Sequence, residues 1–132
     1  MDAISTRQLG KTEVHVTELG FGGAPLGELF HPVSDEQARE TLNAAWHAGI
    51  RYYDTSPFYG YGKSERRVGD LLRQQELGSY TLSTKVGRVL TATHDLENFV
   101  YGYWMGGFPF DHRFDYSYDG IMRSYEDSLQ RL

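Results

Sequence analysis

Residues 54–65, DTSPFYGYGKSE, carry chemistry-capable groups at both ends. At the head, Asp54 is followed by Tyr59, and Lys85 closes the next apolar run. A free tyrosine, with a pKa of about 10, exchanges protons poorly at neutral pH. A neighbouring ammonium favours the phenolate and lowers that value, towards the range where general acid–base catalysis works. A carboxylate beside the ammonium orients it and keeps it charged. Asp54, Lys85 and Tyr59 therefore make a proton-transfer device if the fold brings them together. The same residues also admit a plainer reading: a turn at Asp54-Thr55-Ser56, a solvated lysine and one tyrosine among ten.

The tail of the stretch, Gly62-Lys63-Ser64, matches the end of a phosphate-binding loop. That motif needs a glycine at position 57, where the chain has Pro57. Proline has no N–H to offer a phosphate and fixes φ near about −65°. Gly10-Lys11-Thr12 has Ser5 in the corresponding place and lies in a turn. No later apolar strand ends in an acidic residue for magnesium. GFGGAPLG, residues 20–27, fails as a dinucleotide fingerprint because Pro25 and Pro32 replace the helix that receives the pyrophosphate.

The elements that must position Asp54, Tyr59 and Lys85 alternate in type. TRQL and VHVTEL read as a hairpin turning at Gly10-Lys11-Thr12. A short strand in ELGFGGAP stops at Pro25. Ser34 and Gln37 form a capping box for a helix whose inner face is Ala38, Leu42, Ala45 and Trp46, ended by Gly49. IRYYD is the second strand. A helix from about Ser64 to Gln75 buries Val68, Leu71 and Leu72, and YTLSTK is the third strand. Residues 86–118 show no period, and a last helix from near Asp119 is expected to bury Met122, Tyr125, Leu129 and Leu132. This order is βαβ grammar and implies a parallel sheet with right-handed crossovers. In such sheets catalytic groups gather at the C-terminal strand edge, where Asp54 and Lys85 both fall. With strands about 5 Å apart, the two side chains can pair.

Composition narrows the classes. The 132 residues suit one domain, spanning 1–132. Acidic residues outnumber basic ones 18 to 13, for a net charge of −5, and no basic stripe suggests a nucleic-acid partner. There is no cysteine, hence no disulfide scaffold or thiolate metal site, and no metal site is expected. The N-terminus lacks an apolar leader and no run can span a bilayer, so a cytoplasmic location is expected.

ELGFGGAPLG, AAWHAGIRYYDTSPFYGYGKSERRVGDLL, LSTKVGR and DYSYDGIMRSYEDSLQRL together resemble the aldo-keto reductases, within them the sugar and pyridoxal dehydrogenases. The resemblance covers nearly the whole chain. It implies an α/β fold that is the N-terminal portion of a (β/α)8 TIM barrel: a hairpin plus about three βα units, incomplete as it stands. It implies hydride exchange between NAD or NADP and a small aldose or aldehyde. By motif match, Asp54, Tyr59 and Lys85 are three members of a catalytic tetrad, with Tyr59 the general acid/base. Gly22, Gly23, Ala24 and Asp54 are expected near the nicotinamide. The family's tetrad histidine lies beyond Leu132; His15, His31, His47, His94 and His112 do not match it. A barrel takes about 250 residues, so the alternative is a non-catalytic fragment that binds cofactor or a partner. In isolation the chain is expected to be unstable or associated.

The long segment 86–118 carries Phe99, Tyr101, Tyr103, Trp104, Phe108, Phe110, Phe114, Tyr116 and Tyr118. It leaves the third strand on the catalytic side and can cover the pocket mouth. Aromatic faces suit a sugar's C–H surface or a pyridine ring, and Phe58 and Trp104 are the expected substrate contacts.

Overall fold

The computed structural model describes residues 4–132. Residues 1–3, which begin the N-terminal segment discussed above, lie outside the described residues. The chain opens with an antiparallel hairpin, β1 (Thr6–Gln8) and β2 (His15–Thr17), with Thr6 opposite Thr17. Thr17 Oγ1 accepts the backbone N–H groups of Arg51 and Tyr52, both at 3.1 Å, and so docks the hairpin on the next sheet.

That sheet is parallel, in the order β3 (Phe21–Gly22), β4 (Tyr52–Asp54), β5 (Thr81–Ser83). Between β3 and β4 runs helix α1 (Asp35–His47), and between β4 and β5 helix α2 (Lys63–Leu72). Ser34 and Gln37 form the expected reciprocal capping box at the start of α1. Gly49, at φ +93°, ends the helix by adopting a backbone that L-residues avoid.

Both helices lie on one face of the sheet. Their apolar stripes, Ala38, Leu42 and Ala45 from α1 and Val68, Leu71 and Leu72 from α2, close over Tyr53. Tyr53 is fully buried and packs against Phe21 and Trp46, ring centroids 5.6 and 6.5 Å away. Removing each large apolar side chain from water contributes about 1.5–3 kcal/mol, so this cluster holds α1 and α2 onto the three-stranded sheet.

Two sequence expectations are corrected. Residues 86–118 are not a plain loop but contain a second antiparallel hairpin, β6 (Arg88–Ala92) with β7 (Phe110–Phe114). All five residues of β7 are exposed and only Val89 of β6 is deeply buried, so no inside–outside alternation marked either strand. The second correction concerns helix α3 (Tyr118–Arg131). It turns Gly120, Ser124 and Ser128 inwards, leaving Tyr125 46% and Leu129 54% exposed. Small residues let α3 approach closely. At its end the backbone of Arg131 and Leu132 lies where a Cβ on Gly69 of α2 would sit, 2.4 Å from Arg131 O.

Candidate active site

The C-terminal edge of the parallel sheet brings Asp54, Lys85 and Tyr59 together. Asp54 ends β4, level with Gly22 of β3 and Ser83 of β5. The strand tips continue hydrogen bonding past the sheet: Gly23 N–H donates to Asp54 O at 2.7 Å, and Thr55 N–H to Ser83 O at 2.9 Å. Lys85 lies two residues beyond β5 and folds back over this edge. Its Nζ donates to Asp54 Oδ2 and to Thr55 O, each at 2.8 Å. The other carboxylate oxygen of Asp54 accepts from Ser83 Oγ at 2.7 Å, and Tyr52 Oη lies 3.1 Å from that hydroxyl.

Tyr59 sits on the loop from β4 to α2, with Lys85 Nζ 4.9 Å from its ring centroid. Partial burial draws the Lys85 pKa down. Hydrogen bonding and attraction from Asp54 and Tyr59 outweigh that and place it above the ordinary lysine value. The ammonium therefore stays charged beside the phenol throughout the neutral range.

The loop bearing Tyr59 is fixed from behind. Gly60, at φ +65°, meets Gly27 backbone to backbone, and Ser64 N–H donates to Tyr59 O at 3.1 Å. Ser64 Oγ also donates to Gly23 O at 2.6 Å and lies 2.9 Å from Thr55 Oγ1, tying the start of α2 to the tips of β3 and β4. Gly22, by contrast, has open space where a Cβ would point, and Ala24 begins a 3-10 turn ending at Gly27.

The two expected aromatic contacts separate. Phe58 lines an open cleft of about 270 Å³ together with Tyr59, Lys85, Arg88, Phe114 and Tyr116. Trp104 is 2% exposed and stands behind that wall, its ring 5.6 Å from Phe58 and 5.7 Å from Tyr59. Trp104 is seated by an antiparallel bridge to Leu29, with Met105 N–H donating to Glu28 O and Phe30 N–H to Tyr103 O. Lys63 Nζ pairs with the buried Glu28 carboxylate and donates to Gly106 O at 2.6 Å. Lys63, first residue of α2, thus ties the aromatic segment to that helix.

Sequence reasoning missed several supports. Ser83 lies in the quoted STK run, and its alternation with Thr84 could have flagged it. Glu28, Gly27 and Arg88 carry no pattern signal. Glu65, fully buried on α2, accepts from Thr84 Oγ1 at 2.7 Å and from Arg131 Nε at 2.5 Å; its helical position is the only clue in the sequence.

Known proteins share this chain's sequence pattern and fold. The chain is 46% identical over 140 aligned positions to pyridoxal 4-dehydrogenase of Microbacterium luteolum, covering 100% of this chain and 41% of that protein. It is 39% identical to D-threo-aldose 1-dehydrogenase of a Pseudomonas species, over 89% of this chain and 36% of that one. Among solved structures, an aldo-keto reductase from Bacillus halodurans in its holo form superposes with a TM-score of 0.72 at 30% identity. It covers 98% of this chain and 36% of that one. The glycerol dehydrogenase of Gluconobacter oxydans superposes at 0.69 with 26% identity, over 99% of this chain and 36% of that one. The chain thus spans about two fifths of the length of these relatives, and its three βα units correspond to part of a TIM barrel. Residues 18–132 match the aldo/keto reductase family, and the chain belongs to that family.

Proposed function

We propose that the whole protein is an NAD(P)-dependent oxidoreductase of small aldoses or aldehydes, with Tyr59 as its general acid/base. The observation that supports this most directly is the Lys85 ammonium, held 2.8 Å from Asp54 and 4.9 Å from the Tyr59 ring centroid. The relatives named pyridoxal and D-threo-aldose dehydrogenases suggest the substrate class.

The strand edge fits the nicotinamide end of such a cofactor. Open space lies at Gly22, level with Asp54, and the charged Lys85 stands beside it. The nicotinamide, when bound, accepts or supplies the hydride. In oxidation Tyr59 Oη takes the hydroxyl proton as the adjacent C–H bond gives up its hydrogen with two electrons. In reduction Tyr59 Oη returns a proton to the carbonyl oxygen. Lys85 stabilises the phenolate between these states, and Asp54 with Ser83 and the Thr55 carbonyl holds Lys85 in place.

The test takes the full-length protein with NAD⁺ and NADP⁺ against pyridoxal, L-galactose and a D-threo-aldose. General acid–base catalysis contributes about 10²–10⁴-fold, so Tyr59→Phe is expected to lower kcat by at least about 100-fold with the best substrate. Full activity in that variant overturns the assignment.

A further inference from the structure

The candidate cleft holds a second cation, Arg88, whose side chain makes no ion pair among the described residues. Arg88 opens β6, is half-buried, and stacks between two rings: its guanidinium carbon lies 3.5 Å from the Phe58 centroid and 4.4 Å from that of Phe114. Stacking engages the faces of a guanidinium and leaves its five N–H donors unused. Among the described residues the Arg88 side chain has no hydrogen-bond or ion-pair partner.

The other sheltered arginines differ. Arg67 bonds to Asp35, Glu28 and the carbonyls of Leu26 and Val33; Arg131 bonds to Glu65; Arg51 bonds to the carbonyls of Trp46 and Ile50. The carboxylates next to the cleft's cations, Asp54 and Asp115, are already committed, and Asp111 across the β6–β7 hairpin makes no bond to Arg88. Asp54 accepts from Lys85 and Ser83, while Asp115 accepts from Arg113 and Ser117. Lys85 pairs with Asp54, and among the described residues no carboxylate lines the cleft beside Arg88, in a chain of net charge −5. A half-buried guanidinium with open donors is a receptor for an oxyanion, which it can hold through two parallel N–H bonds.

The geometry points to Arg88 as the residue that selects, among aldehydes and hemiacetals, those carrying an oxyanion such as a carboxylate or a phosphate. This rests on the oxidoreductase reading for the reaction but not for the binding. Aromatic walls on either side of Arg88 also favour a ligand with a flat or apolar body between its carbonyl and its anionic group.

Steady-state kinetics of the full-length protein at saturating cofactor test this with matched pairs. Succinic semialdehyde is set against butyraldehyde, and glyceraldehyde 3-phosphate against glyceraldehyde; the two pairs tell carboxylate from phosphate recognition. The wild type is expected to favour at least one anionic member by about tenfold or more in kcat/KM. Charge-assisted hydrogen bonds contribute about 1.5–3 kcal/mol, so Arg88→Met should cut that ratio by about 10–100-fold, mainly through KM. Arg88→Lys should restore part of it. No anionic preference in the wild type, or an unchanged ratio in Arg88→Met, overturns the proposal, as does a loss confined to cofactor affinity. Calorimetric titration with redox-inert succinate against succinamide separates the two readings. Arg88-dependent preference for succinate without turnover of any aldehyde upholds the anion site and sinks the oxidoreductase reading. Turnover without such preference does the reverse.

Discussion

Gly27 and Gly60 touch through their backbones. A Cβ on Gly27 would stand 2.5 Å from the carbonyl carbon of Tyr59 and 2.6 Å from Gly60 N, and one on Gly60 would stand 2.6 Å from Gly27 O. The loop after β3 thereby sets how far the Tyr59 loop can settle towards Lys85. Neither contact can be relieved by a side-chain rotation, because both partners are main chain. Gly27→Ala is therefore expected to push Tyr59 off its position. Overpacking of this kind costs about 1–3 kcal/mol of stability, and misplacement of about 1 Å can lower a rate about 100-fold. Denaturant melts and kcat of the full-length variant check this; native stability with native kcat would show that the loop yields without consequence.

Glu65 joins three elements from a fully buried position: its own helix α2, the Thr84 hydroxyl after β5, and Arg131 at the end of α3. Removing it leaves a largely buried guanidinium, only 20% exposed, without its carboxylate. Breaking one partner of a buried pair costs about 3–5 kcal/mol. Glu65→Ala is thus expected to destabilise the protein on that scale, while Asp70→Ala, which disrupts an exposed pair with Arg73, changes stability by less than about 1 kcal/mol. Equal effects of the two substitutions in urea melts would contradict this.

These supports explain what could and could not be read from the sequence. The pairing of Asp54 with Lys85 was legible because parallel strands in register bring their C-terminal tips together. The α1 capping box and the Val68, Leu71, Leu72 stripe were legible because local spacing encodes them. The β6–β7 hairpin was not, since β7 buries nothing and so leaves no alternation. Helix α3 carries two plausible inner faces at helical spacing. Close approach at Gly69 favours the one with Ser124 and Ser128, a choice made by α2 rather than by α3. Arg88 and Glu28 gain their meaning only from neighbours far along the chain.

Lys63 holds the aromatic segment at one point. It pairs with Glu28, a non-glycine residue at φ +65°, and donates to Gly106 O. In Lys63→Met, Glu28 keeps Arg67 as a partner at 3.3 Å, so its charge stays compensated, but Gly106 is released. The expected result is local: faster hydrogen exchange at the Met105 amide and a red-shifted Trp104 emission, with a stability loss of about 1–3 kcal/mol. If the proposed activity holds for the full-length protein, KM should rise more than kcat falls. Exchange unchanged at Met105 would show that the Leu29–Trp104 bridge suffices to hold the segment.

His112 makes the aromatic wall sensitive to pH. Its ring packs 5.0 Å from Phe58 and 5.7 Å from Tyr61. Partial loss of water where the ring packs on Phe58 and Tyr61, reinforced by the Arg88 charge, lowers its pKa below the ordinary 6.5, and Asp111 only partly opposes the shift. The unfolded chain therefore binds this proton more readily than the folded one. The stability that neutral His112 contributes is fully present above its unfolded value and is lost as pH falls through the lower folded value. Melting temperatures measured between about pH 7.5 and 5 should show a decline that His112→Gln flattens. Arg88→Met removes one of the two causes and should raise the His112 pKa, followed directly by its imidazole NMR signal. A titration of His112 unchanged by Arg88→Met would place the guanidinium too far from the ring to act on it, and the decline below neutrality would then rest on ring desolvation against Phe58 and Tyr61 alone.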